Sequence, residues 1–206
     1  MRFNVIVGIL FTCFLMLSNT ALAFDNYAEV TQDSKIVQAL DLLQHHSDDS
    51  RQTLNTILGD NLTQKPIKVM FYNLSQMNVA YANYDALTCK HKSGSIYILI
   101  NKIHKDAPVE ALACLLSHEV LHQDDLSSYQ EEVQAWTKEA TTWVSLKKVY
   151  NNLNSSELNT YPLVRRLNSI EKMYVKANYA TTEISKEIHS NLGYQNLAEY
   201  SPGYGI

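Results

Sequence analysis

At 206 residues, with 46% hydrophobic and 18% charged side chains, the chain can bury one sizeable core but not two independent ones, so a single domain is expected. Six Gly and four Pro exclude collagen-like and Pro/Gly-rich low-complexity chains. Seventeen Lys and Arg against 21 Asp and Glu give a net charge of -4, with no basic stretch to neutralise phosphates, which argues against nucleic acid as a partner.

Arg2 precedes an apolar run from Val5 to Leu17, polar Ser18-Asn19-Thr20 and the small-residue site Ala21-Leu22-Ala23, the pattern of a secretory signal peptide over residues 1–23. The run is shorter than the about 20 residues that span a bilayer, and no later segment is long and apolar enough to do so. The expectation is a secreted or periplasmic protein of residues 24–206, one domain without a membrane span once the signal is removed. Two cysteines, Cys89 and Cys114, would remain, and an oxidising compartment favours joining them as a disulfide.

In chain order, Tyr27 to Gly59 reads as helical, with Ile36, Leu40 and Leu43 on one face and Leu54, Ile57 and Leu58 in a shorter stripe stopped by Gly59. This defines an N-terminal helical segment, residues 24–65. A β zone follows: Ile67 to Tyr72 after Pro66, Val79 to Tyr84, and Ser95 to Asn101 as the strongest strand, after Gly94. Helical patterning returns over Ala107 to Gln123, with Pro108 in the first turn, where its missing N–H costs nothing. Val133, Trp136, Ala140 and Trp143 mark the next helix, Leu163, Leu167, Ile170 and Tyr174 another, and Ile184, Ile188 and Leu192 a last one closed by Gly193. Tyr200 to Ile206 reads as a loose tail. The fold class is α+β, a small sheet with helices before and after it.

The chemistry lies in His118-Glu119-Val120-Leu121-His122, an H-E-x-x-H within the Ala107 to Gln123 helix. Four residues turn a helix by about 400° and raise it about 6 Å, so both imidazoles leave one face and can share one ion. Glu119 lies about 100° round from His118, where it can address a water activated by the metal instead of the metal itself. Ala111, Leu112, Leu115, Leu116, Val120 and Leu121 make this a core helix, in which a His-Glu-His cluster without a metal or partners would be costly to bury. Zinc needs at least one further protein ligand, expected on the next helix. Glu131 and Glu132 both stand at its start. Ser128-Tyr129-Gln130-Glu131 reads as a capping box that turns Glu131 back on the Ser128 N–H, leaving Glu132 to face the metal. The metal set on this reading is His118, His122 and Glu132.

These residues resemble the gluzincin clan of zinc-dependent metallopeptidases, and within it the small single-domain minigluzincins. The resemblance covers roughly residues 67–143. It implies a zincin-like fold, a small mixed sheet over the H-E-x-x-H helix, and a third ligand in E-x-x-[small], which matches Glu132-Val133-Gln134-Ala135. It also implies that Glu119 is the general base of a Zn2+-dependent endopeptidase acting on peptide or protein substrates. An extended substrate segment is expected to add to an edge strand, taken as Ile96 to Ile100. Tyr161, Tyr174, Tyr179 and His189 are candidates for stabilising the oxyanion, each also readable as an ordinary packing or surface residue. The alternative function is a non-enzymatic secreted binding protein retaining a structural or vestigial zinc site. His45-His46 reads as a solvated helix end, His91 and His104 as exposed loop residues, and Asp124 and Asp125 as carboxylates at a helix end, close enough to orient His122.

Overall fold

The computed structural model describes residues 27–123 and 127–201; the expected signal segment, Asp124, Asp125 and the tail from residue 202 lie outside them. Among the described residues are six α-helices and one three-stranded mixed sheet, an α+β arrangement. The N-terminal helical segment is two helices rather than one. Asp33 caps α1 (Ser34–His46), its carboxylate accepting from the Lys35 and Ile36 N–H groups, and the predicted stripe Ile36, Leu40 and Leu43 is buried. Ser47, extended at φ -158°, breaks the helix and caps α2 (Asp48–Leu58) through its hydroxyl. Gly59 ends α2 at φ 134°, a conformation that a side chain would strain.

The sheet order is β1-β3-β2, with β1 (Lys68–Tyr72) parallel to β3 (Ile96–Asn101) and β2 (Ala86–Lys90) antiparallel to it. Two expectations change here. Val79 to Tyr84 is not a strand: Asn78 caps a short 3-10 turn at Val79–Tyr81, Val79 is exposed, and the carbonyls of Ala82 and Tyr84 accept from the Asn101 side chain instead of a ladder. Nor is Ile96 to Ile100 an edge. It is the central strand, with Ile96, Ile98 and Ile100 buried on one face and Leu99 also buried on the other, so its apolar run reflects cover on both sides. The edge beside the helices is β2.

Register also separates the cysteines. Thr88 pairs with Ile98, on the face packed into the core, whereas Cys89 pairs with Tyr97 on the opposite face. Cys114 is buried within the core, and both thiols are free, so the expected Cys89–Cys114 disulfide is absent.

Helix α3 (Val109–Glu119) has Pro108 as its N-cap, one position earlier than a first-turn residue. It packs against α1 and against α4 (Tyr129–Val149). Pro162 opens α5 (Pro162–Lys176), which buries Leu163, Leu167 and Ile170 as predicted, and α6 (Thr182–Ser190) buries Ile184 and Ile188. Leu192 lies beyond α6, exposed in a 3-10 turn that also contains Gly193. The main core joins α1, α2, the sheet, α3, the second half of α4 and the first half of α5. A second apolar cluster, Tyr129, Val133, Trp136 and Ala140 with Ile170, Ile184 and Ile188, lies along the first half of α4. Among the described residues no helix is long and apolar enough to cross a membrane.

Candidate metal centre

Every residue of α3 from Ala111 to Glu119 is buried, which fixes the helix axis firmly up to the motif. Regular helix stops at Glu119 instead of Gln123. The Leu121 N–H then donates to His118 O at 3.1 Å and the His122 N–H to Glu119 O at 3.2 Å, a tightened turn that carries His122. The two imidazoles nevertheless converge, with ring centroids 5.1 Å apart.

The start of α4 supplies the facing carboxylates. Ser128 Oγ accepts from the Glu131 N–H at 3.3 Å, the first half of the expected capping box. The second half is replaced: Glu131 Oε1 lies 2.5 Å from His122 Nδ1, and its Oε2 accepts from Ser201 Oγ at 2.9 Å. Glu132 faces the other side of the rings. Its Oε2 is 3.9 Å from His118 Nε2 and its Oε1 is 3.8 Å from His122 Nε2. Ligand atoms about 2.1 Å from a tetrahedral zinc stand about 3.4 Å apart; one ligand atom from each of His118, His122 and Glu132 lies within 4.8 Å of the other two. Together the three residues form a group able to hold a divalent metal. Glu132 Oε2 is buried with no hydrogen-bond partner, a donor atom left for an ion.

A residue absent from the sequence-predicted set completes the cluster. Glu139, with no solvent exposure, lies seven positions after Glu132, two helical turns along the same face of α4, and its Oε2 is 3.3 Å from His118 Nδ1. Each histidine therefore directs Nδ1 at its own carboxylate and Nε2 at Glu132. The signal for Glu139 was its placement among the apolar positions Ala135, Trp136, Ala140 and Trp143. Its other oxygen accepts from Arg166 Nη2, whose Nε lies 2.6 Å from Asp85 Oδ2, and Asp85 Oδ1 lies 2.6 Å from His104 Nε2. His104 is thus buried rather than exposed, because Asp85 gives it a polar partner inside.

Burial opposes a charge on His122, but the Glu131 hydrogen bond and the nearby charges of Glu119 and Glu132 outweigh it and raise its pKa to about 9. Glu119 stands outside the three-ligand group. Its buried carboxylate accepts from Thr88 Oγ1 at 2.7 Å, which ties the end of α3 to edge strand β2. Tyr194 packs edge-on to Trp136, and its hydroxyl pKa is raised by burial and by the Glu132 charge.

The four oxyanion candidates are engaged elsewhere. Tyr161 packs against the main core, Tyr174 hydroxyl accepts from Thr141, Tyr179 is exposed and edge-on to Tyr174, and His189 stacks on Tyr129. His45 is exposed at the end of α1 and His46 bonds Ser145, while His91 is exposed, as expected. Of the segment expected to be a loose tail, Ser201 is buried on Glu131, and just before that segment the Ala198 and Glu199 carbonyls accept from the Tyr129 and Gln130 N–H groups. No family model, curated protein or solved structure matches this chain.

Proposed function

We propose that this protein is an exported zinc-dependent endopeptidase, a zincin-like domain of gluzincin type. The observation that carries the reading is the division of labour among four carboxylates around two imidazoles. Glu131 and Glu139 take the Nδ1 sides, Glu132 takes the Nε2 sides, and Glu119 is kept out of the ligand group. Two imidazoles and one carboxylate suit zinc and leave a coordination position open, unlike a closed structural site. Zinc at such a site polarises a peptide carbonyl and lowers the pKa of water toward about 7.

The chain's own groups supply the remainder. Glu119 accepts the proton of the attacking water and returns it to the departing amide nitrogen, and Thr88 aims its carboxylate. The edge strand β2 offers unpaired N–H and C=O groups to an extended peptide. Because Thr88 sits on that strand, a peptide added to it runs past Glu119. Residues 1–23 would export the protein.

Glu119→Gln tests the reading. The amide cannot take up the proton, so zinc content and fold should be retained while cleavage of a peptide library by the chain lacking residues 1–23 falls by about 100-fold or more. Equal cleavage by the variant would contradict it. Metal binding by the wild type without cleavage of any peptide pool would favour a non-enzymatic binding protein.

A further inference from the structure

The row Glu139, Arg166, Asp85 and His104 is costly and does not belong to the ligand set. Its members come from α4, α5, the residue before β2 and the 3-10 turn after β3. Glu139 and the His104 side chain have no solvent exposure, and Arg166 and Asp85 are each 23% exposed. Replacing such buried ion pairs by apolar side chains of similar volume is often neutral or stabilising, so fold stability alone does not account for them. The end of the row that reaches function is Glu139 Oε2, which faces His118 Nδ1 at 3.3 Å; both atoms are buried and neither has a hydrogen-bond partner among the described residues.

We propose that Arg166, pinned by Asp85 and His104, is a positioning residue that holds Glu139 against His118 Nδ1 and thereby commits His118 Nε2 to the metal. The inference rests on the metal-centre reading above and adds to it the device that orients one ligand. A neutral imidazole carries one N–H, and a carboxylate on Nδ1 draws it there, leaving the Nε2 lone pair for the ion. That requires the Glu139 carboxylate to be held in place, which the Arg166 guanidinium provides by donating to its other oxygen. Arg166 can do so only if its other edge is fixed, and Asp85 fixes it. Burial raises the Asp85 pKa, but the His104 hydrogen bond and the Arg166 charge outweigh it and hold the carboxyl below its ordinary value. The Asp85 carbonyl also accepts from the Asn101 N–H at 2.9 Å, anchoring the row in the sheet. Three residues on, Thr88 holds Glu119, so one stretch of chain sets both the ligand His118 and the base Glu119.

The test uses the chain lacking residues 1–23, with zinc affinity read by competition with a chromogenic chelator and geometry by the visible spectrum of the cobalt(II)-substituted protein. The double variant Glu139→Gln with Arg166→Met removes the Glu139–Arg166 pair as a unit and leaves Asp85 its His104 partner. It should melt cooperatively, as the metal-free wild type does, yet bind zinc about 10- to 100-fold more weakly and show an altered cobalt spectrum. Asp85→Asn, a milder change, should weaken zinc binding in the same direction, and Arg166→Lys, which keeps the charge but not the planar fork, should bind more tightly than Arg166→Met. Wild-type affinity and spectrum in both the double variant and Asp85→Asn would overturn the positioning role and leave the metal centre standing. A wild-type protein that bound no divalent ion would overturn both.

Discussion

His118 and His122 are four positions apart, but different parts of the molecule hold them. His118 belongs to regular helix and is backed by Glu139 and a row of side chains ending in the sheet. His122 projects from a tightened turn after the helix and is backed by Glu131, whose second oxygen is held by Ser201 near the end of the described chain. One histidine is referenced to the core, the other to a surface segment laid along the start of α4. The difference teaches that the i, i+4 spacing brings the rings together, while the direction of each ring is set by contacts distant in sequence.

The largest effect should come from the group the two histidines share. Glu132→Ala removes the only carboxylate facing both Nε2 atoms within the three-ligand group, and zinc affinity should fall by orders of magnitude, as it should for His118→Ala or His122→Ala. Near-normal affinity in Glu132→Ala would assign the third ligand elsewhere.

A smaller loss should mark the surface-held side. Glu131→Ala leaves the cap made by Ser128 Oγ intact but frees His122 Nδ1, so zinc affinity should fall about 10- to 100-fold, measured by the same chelator competition. An unchanged affinity with only a lowered melting temperature would reduce Glu131 to a structural residue. Ser201→Ala, at the end of the same support, removes one buried hydrogen bond of about 1 kcal/mol, so its effect on affinity should be no more than about fivefold. If Ser201→Ala matched Glu131→Ala, the tail segment itself would be holding the site.

Much of the site was legible because it depends on local spacing. The H-E-x-x-H motif and the Ser128 cap follow from helical rotation over a few residues, whereas Glu132 was chosen for the Nε2 side by giving Glu131 a capping role that its carboxylate does not take. What was missed involves partners distant in sequence. The Glu131 carboxylate was expected on its own helix end, but a residue 70 positions later and a histidine nine positions earlier compete for it successfully. His104 looked like a loop histidine because nothing local marks Asp85 as its partner. The strand order was misread for a similar reason. An apolar run such as Ile96 to Ile100 shows that a strand is covered, not which neighbours cover it, and Asn78 and Asn101 drew Val79 to Tyr84 out of the sheet through side-chain hydrogen bonds.

X-ray absorption at the zinc edge, on the chain lacking residues 1–23 and loaded with one equivalent of zinc, tests the central claim most directly. Two nitrogen ligands with imidazole scattering at about 2.0 to 2.1 Å, together with oxygen ligands, are the expected result, and Glu132→Ala should lower the oxygen contribution. A sulfur shell at about 2.3 Å, or an unchanged spectrum in His118→Ala and His122→Ala, would contradict a centre built from His118, His122 and Glu132.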